Sequence, residues 1–465
     1  IFKELHMLKT ITPIDNSILV ERKFASPQEI DSTLNTSKKI FVEWSTTALA
    51  QRKEILTKFV DIFLNNSAEI EEELCRQMGR PISQCNGEMK GFEERARYMI
   101  EKSEEALENI VSKKNNEFDN FISKDPLGTI FIVAPWNYPY NTSVNSIVPS
   151  LLSGNSVILK HSSQTPLCAE QLFNAAKLSG LPEGVFQFLH LDHASTSKII
   201  SDQRIDHVLF TGSVSGGRQV KKAIGERFIN AGLELGGKDP AYVRKDCNIQ
   251  HAIENLTDGS FFNSGQSCCG IERIYVDAEV YDEFVEGVKN VTEKYILDNP
   301  LNKYTNLGPV VKLSAAQRIR TQIKEAIDSG AQDIIRKENF KISEDNNCYV
   351  SPSVLVNVDH SMKFMMEETF GPSVGIMKVK NENEAAELMN DSPYGLTACI
   401  WTSDKEFAQS FGPRINTGTF FMNRCDYLDP GLAWTGVKNT GTGVTLSVLG
   451  FDHVTRVKSY HYRTI

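Results

Sequence analysis

The sequence predicts an α/β fold: a parallel, doubly wound cofactor-binding domain, an α/β catalytic domain and a small β oligomerisation arm. Three observations predict it. A chain of 465 residues is too long for one ordinary hydrophobic core. From Thr129 onward, strand-length apolar runs alternate with helix-length amphipathic ones. A polar break at Ser112–Asp119 followed by an alternating stretch, and an alternating tail at Val454–His461, stand outside that series.

The first hundred residues read as helical. Ala48–Leu64 and Ala68–Met78 carry apolar residues three and four apart, and Gly79-Arg80-Pro81 stops the second run. A further helical pattern covers Gly87–Val111, and Phe118–Ser123 alternates as a β excursion. Strands are then expected at Thr129–Ala134, Ser156–Lys160, Val185–His190 and His207–Phe210, with helices at Thr142–Leu152, Thr165–Ser179 and Ser215–Arg227. Units of this length argue for a parallel sheet, which binds ligands at the carboxyl ends of its strands. A second α/β series follows Leu235: a helix near Ile249–Phe262, a strand at Glu272–Val276, a helix at Tyr281–Tyr295, and further units around Ala315–Gly330, Val374–Val379 and Glu382–Asn390. The expected division is 1–112 with 127–235 for the cofactor-binding part, 236–440 for the catalytic part, and 113–126 with 441–465 for the arm.

Composition narrows the function. A balance of 50 basic against 59 acidic residues, net −9, argues against nucleic acid as the partner. No apolar run reaches the roughly 18 residues of a membrane helix, and the first residues lack the layout of a secretory signal. Met7 is a candidate natural start. Nine scattered cysteines without zinc spacing point to a reduced, cytoplasmic protein with no metal site. The Asn-x-Ser/Thr triplets at Asn141, Asn255 and Asn290 then read as chance.

Three segments carry chemistry. Ala134-Pro135-Trp136-Asn137-Tyr138-Pro139 follows a buried strand and holds a short amide rigidly, a donor suited to an oxyanion. Leu233-Glu234-Leu235-Gly236-Gly237-Lys238 wedges a carboxylate into apolar surroundings, which suits a general base. Gly265-Gln266-Ser267-Cys268-Cys269-Gly270 offers a thiol nucleophile between glycines. Each alone also fits a structural reading: a turn, an ion pair of Glu234 with Lys238, and a buried small hydrophobe.

Together, and in this order, they resemble the signatures of the aldehyde dehydrogenase superfamily. Glu367-Glu368-Thr369-Phe370-Gly371-Pro372, Ser179-Gly180-Leu181-Pro182-Glu183-Gly184-Val185, Phe210-Thr211-Gly212-Ser213 and Gly436-Val437-Lys438 extend the likeness over nearly the whole chain, and the separation of 34 positions from Glu234 to Cys268 matches as well. The resemblance implies that an aldehyde is oxidised to its acid with NAD(P). Cys268 would attack to give a thiohemiacetal. Asn137 and the Cys268 N–H would hold the oxyanion, hydride would pass to the nicotinamide, and Glu234 would activate water against the thioester. It assigns Trp136, Lys160, Ser163, Gly212, Ser213, Glu368 and Phe370 to the cofactor, and Tyr138, Thr142, Asn145, Phe262 and Trp434 to the aldehyde tunnel. Cys269 reads as packing.

Two departures matter. Many NAD-preferring members carry Glu where Ser163 stands; a hydroxyl beside Lys160 accepts a 2′-phosphate that a carboxylate would repel, so NADP is favoured, with NAD as the alternative. Many members carry Arg-Glu where Val444-Thr445 stand, leaving Glu234 as the base candidate. Three tunnel aromatics suit an apolar body or a cation, and Thr142 and Asn145 suit a functionalised tail. Arg424 meets a carboxylate, a subunit contact or solvent. The expected partners are a small-molecule aldehyde and further copies of the chain, as a homodimer or homotetramer, with neither nucleic acid nor membrane. Rival readings are an enzyme that passes the acyl group to coenzyme A, and a silent scaffold on the same fold.

Overall fold

A computed structural model describes residues 7–340, 342 and 346–465, so the first six residues of the expected cofactor-binding part and four of the expected catalytic part lie outside it. The amino-terminal segment forms an antiparallel hairpin, Met7–Ile11 with Ile18–Lys23. Four helices follow: Pro27–Thr46, Leu49–Asn65, Ser67–Met78 and Ile82–Leu107. The first begins at a reciprocal capping box between Ser26 and Glu29. The third ends at Gly79, whose φ of 84° is left-handed and whose missing Cβ would meet Pro309.

The first sheet has six strands in the order Gly441–Thr442, Ala231–Glu234, His207–Thr211, Thr129–Val133, Ser156–Lys160 and Phe186–Phe188, parallel except for the first. Its strands are apolar on both faces because both are covered. Ile130, Ile132, Val157 and Leu159 face one core with the early helices, while Phe131, Val133, Ile158 and Val208 face another. Lys160, Thr211 and Glu234 all stand at carboxyl ends, and Thr211 is in register with Glu234.

Only Leu235–Lys238 separates that sheet from the second, which begins at Asp239. Seven strands run in the order Gln332–Asp333, Ser353–Val356, Ser373–Val379, Ile271–Asp277, Asp239–Val243, Thr397–Trp401 and Thr419–Met422. All are parallel except the first pair. A third, antiparallel sheet joins Thr455–Arg463, Phe118–Pro126 and Ile110–Lys114.

Several elements differ from the reading above. Ile110-Val111 begins a strand rather than ending a helix, because two β-branched residues precede a turn in which the Asn115 side chain accepts from the N–H groups of Glu117 and Phe118. The expected strand at Val185–His190 shrinks to Phe186–Phe188. Thr397–Trp401 and Asp239–Val243 went unread because strands buried on both faces show no alternation. No helix among the described residues is long and apolar enough to cross a membrane.

Candidate active site

Two glycines organise the site. An added Cβ at Gly237 would lie 2.6 Å from the Cys268 carbonyl oxygen, and one at Gly236 would lie 2.5 Å from the Glu368 carboxylate. A side chain at Gly237 would strike backbone, and one at Gly236 would push the Glu368 carboxylate from its place. The pair therefore brings together the Glu234, Cys268 and Glu368 segments, which lie on different elements.

Cys268 occupies a turn after the helix Ile249–Phe261. The approach is contorted: Asn263, Ser264 and Gly265 have φ of 52°, 56° and 70°. Side-chain bonds hold Asn263 there. Its Nδ2 donates to the carbonyls of Asn137 (3.3 Å) and Gln266 (3.2 Å), and its Oδ1 accepts from Arg80 (3.2 Å). Gly265 abuts the Gly371 carbonyl, so no Cβ fits. Cys268 is half-buried against the apolar cluster that includes Trp434 and Leu446. Cys269 is buried, and its thiol and the Ser267 hydroxyl both donate to Asp426, at 3.0 and 2.7 Å. Burial pushes the Asp426 carboxyl up to about 6.

Asn137 is buried between the strand Thr129–Val133 and the helix Pro139–Leu152, with its Nδ2 3.3 Å from the Gln266 carbonyl, two residues before Cys268. The clamp behind it escaped sequence reasoning. Arg80 and Glu88, 1% and 0% exposed, form an ion pair. Arg80 also donates to the Asn137 carbonyl and lies over the Tyr138 ring. The other Glu88 oxygen accepts the N–H groups of Tyr140 and Asn141, at 2.9 and 3.0 Å, at the start of the Pro139–Leu152 helix. Gly79-Arg80-Pro81 reads only as a helix stop, and nothing local signals that its arginine is buried.

Glu234 ends its strand. Thr445 donates to its Oε1 at 2.6 Å, and burial raises its carboxyl pKa against the pull of that bond and of Arg95. Thr445 is paired through both backbone bonds to Trp434, at 2.8 and 2.9 Å. The ion pair of Glu234 with Lys238 does not form: Lys238 turns to Glu272, 2.5 Å away. Glu272 in turn accepts the N–H groups of Thr369 and Phe370, both at 2.8 Å.

Of the residues assigned to a cofactor, Trp136 and Phe370 meet edge to face at 5.6 Å. Glu368 accepts the Gly237 N–H at 3.0 Å, and burial pushes its carboxyl up to about 7. Ser213 caps the helix Val214–Ile224, and the Gly212 N–H donates to the Glu234 carbonyl. Lys160 is buried at its strand end with no carboxylate partner among the described residues, and burial pulls its pKa down to about 8. Exposed Ser163 follows it, its carbonyl held by the Thr10 hydroxyl at 2.8 Å. A buried lysine with no carboxylate partner among the described residues, at a strand end and three residues before exposed Ser163, fits a phosphate-bearing nucleotide.

Of the tunnel residues, Tyr138 and Thr142 sit one helical turn apart, the Thr142 hydroxyl donating to the Tyr138 carbonyl at 2.7 Å. Asn145, 2% exposed, lies on the next turn. Trp434 is buried and Phe262 half-buried at the base of the Cys268 turn. Arg424 is exposed and stacks on Tyr427 at 3.5 Å.

The profile described as the aldehyde dehydrogenase family matches residues 3–460. The chain belongs to that family. The aldehyde dehydrogenase is 32% identical over 404 residues to the 3-sulfolactaldehyde dehydrogenase of Priestia aryabhattai, covering 84% of this chain and 82% of that protein. It is 29% identical over 450 residues to the succinate semialdehyde dehydrogenase [NAD(P)+] Sad of Escherichia coli (strain K12), covering 97% and 96%. The crystal structure of succinic semialdehyde dehydrogenase from Streptococcus pyogenes with NADP+ superposes with a TM-score of 0.93 at 28% identity, covering 98% of this chain and all of that one. The enzyme is an NAD(P)-dependent oxidoreductase of aldehydes, and its α/β architecture is that of the family.

Proposed function

We propose that this aldehyde dehydrogenase oxidises its substrate through Cys268, with Glu234 activating the hydrolytic water, Asn137 holding the oxyanion, and NADP preferred over NAD. What carries the reading is the meeting at Gly236-Gly237, where the Cys268 carbonyl and the Glu368 carboxylate both approach a segment that starts at Glu234.

The Cys268 sulfur adds to the aldehyde carbon. The oxygen that gains the electron pair then takes hydrogen bonds from the Asn137 amide and the Cys268 N–H. A nicotinamide bound here would supply the two-electron acceptor needed between adduct and thioester. Trp136 and Phe370, which meet edge to face, would line its place, and Glu368, held on the Gly237 N–H, would orient the group beside it. Glu234, its carboxyl pKa raised by burial, takes a proton from water as the oxygen attacks the thioester carbon. Cleavage of the carbon–sulfur bond releases the acid. Because a base candidate is in place, water rather than coenzyme A is the acceptor.

Lys160 and Ser163 favour NADP, since no carboxylate stands at Ser163 to repel a 2′-phosphate. The small antiparallel sheet carries exposed Val111, Val457 and Tyr462 and supports a homo-oligomer formed through its edge. Nine free cysteines suit a cytoplasmic setting.

The deciding assay follows reduced nicotinamide with NADP and NAD against an aldehyde panel, with and without coenzyme A. Turnover with NADP and no coenzyme A is expected. A requirement for coenzyme A would overturn hydrolysis, and inert protein that still binds cofactor would favour the scaffold.

A further inference from the structure

Arg95 lies on the helix Ile82–Leu107 with 8% of its surface exposed. Its guanidinium donates once, to the Asn141 carbonyl at 2.9 Å, and no carboxylate pairs with it among the described residues. Glu88, the acid whose charge acts most on it, is already committed to Arg80 and to two backbone N–H groups. A buried guanidinium without a counter-charge is costly, and burial already pulls its pKa down.

The neighbours show which way it faces. Gly91, one turn earlier, abuts the Asn141 side-chain amide, and Met99, one turn later, lies beside Gly450, which also abuts Thr445. This helix face thus lies toward Thr445, whose hydroxyl holds Glu234, and, against the rise from burial, the Arg95 charge lowers the Glu234 carboxyl pKa. On the opposite helix Asn145 follows Asn141 by one turn. Neither polar atom of the Asn145 side chain has a partner, and the Asn141 Oδ1 has none either. The Arg95 guanidinium sits on the Asn141 carbonyl, one helical turn before the unsatisfied Asn145 amide, and two such groups are complementary to an anion, whereas an alkyl chain beside them would leave both unpaired.

We propose that Arg95 and Asn145 bind an anionic group on the tail of the aldehyde, so that the substrate is a short aldehyde bearing a carboxylate or sulfonate. This deepens the aldehyde reading above and rests on it. Arg95 is a specificity residue here and takes no part in bond making.

The test compares the full-length enzyme with Arg95→Met, Arg95→Lys and Asn145→Ala on succinic semialdehyde, a sulfonate-bearing aldehyde, and butanal, which keeps four carbons without the charge. Wild type is expected to prefer an anionic aldehyde to butanal, and the carboxylate and sulfonate arms tell the two anions apart. Arg95→Met is expected to lower kcat/KM for the preferred anion roughly 10- to 100-fold, mainly through KM, while butanal changes less than about threefold. Arg95→Lys recovers part of the loss, and NADP binding is unchanged. Equal losses on charged and neutral aldehydes would overturn the proposal and assign Arg95 to the electrostatics of Cys268 or Glu234. If Arg95→Met does not fold, Arg95→Gln carries the same comparison. Wild type that oxidises other aldehydes but neither anionic one, or that shows no anion preference, refutes this proposal alone, whereas failure to form acyl-Cys268 or reduce NADP with any aldehyde refutes the proposed mechanism on which it rests.

Discussion

The Thr445 hydroxyl donates to the Glu234 carboxylate at 2.6 Å, from a position where many members of the family carry a second carboxylate. Such a bond favours the ionised form and offsets part of the rise that burial imposes. Activity that needs ionised Glu234 falls as pH drops through its raised pKa, which lies above the ordinary carboxylate value. Thr445→Val removes the bond, raises that pKa further and moves the acid limb of the kcat profile to higher pH. A limb that does not move would detach Thr445 from the base.

Glu234→Gln should slow deacylation about 10²- to 10⁴-fold. Mass spectrometry of the enzyme mixed with NADP and aldehyde should then find acyl-Cys268. Cys268→Ala should abolish turnover while NADP binding, read by titration, stays intact. Unimpaired turnover in Glu234→Gln would remove Glu234 from the mechanism.

Breaking the buried Arg80–Glu88 pair from one side leaves a charge with no partner, at a cost of about 3–5 kcal/mol. Glu88→Gln should therefore lower the thermal midpoint far more than Lys58→Met, which opens an exposed pair with Glu54 worth about 0–1 kcal/mol. Activity should fall too, since Arg80 holds the Asn137 carbonyl and Asn263. Equal melting shifts in the two variants would contradict the clamp.

Ser163→Glu should reverse the cofactor preference. A carboxylate near the 2′-phosphate repels it, and the ratio of kcat/KM for NADP to that for NAD should drop roughly tenfold or more. An unchanged ratio would place cofactor choice elsewhere.

Deleting Thr455–Arg463 strips a nine-residue strand from the small sheet and leaves Phe118–Pro126 as a bare edge. Sedimentation should show the full chain as a dimer or tetramer and the truncated chain as smaller or aggregated. A full chain that is monomeric at micromolar concentration would rule out the arm as an oligomer surface.

The sequence by itself determined the alternating architecture and the family to which the chain belongs. Apolar runs such as Thr129–Val133 and Ser156–Lys160 can be buried on both faces only in a covered sheet, and the Asn137, Glu234 and Cys268 segments, each ambiguous alone, carry the family resemblance by their order and separation. It could not determine partners. The ion pair of Lys238 with Glu272, the service of Arg80 to Asn137, and the isolation of Arg95 are contacts between residues 34, 57 and 46 positions apart. Only the tertiary structure decides them, because a buried charge takes its meaning from the counter-charge that packing brings to it, and local sequence does not encode that distance.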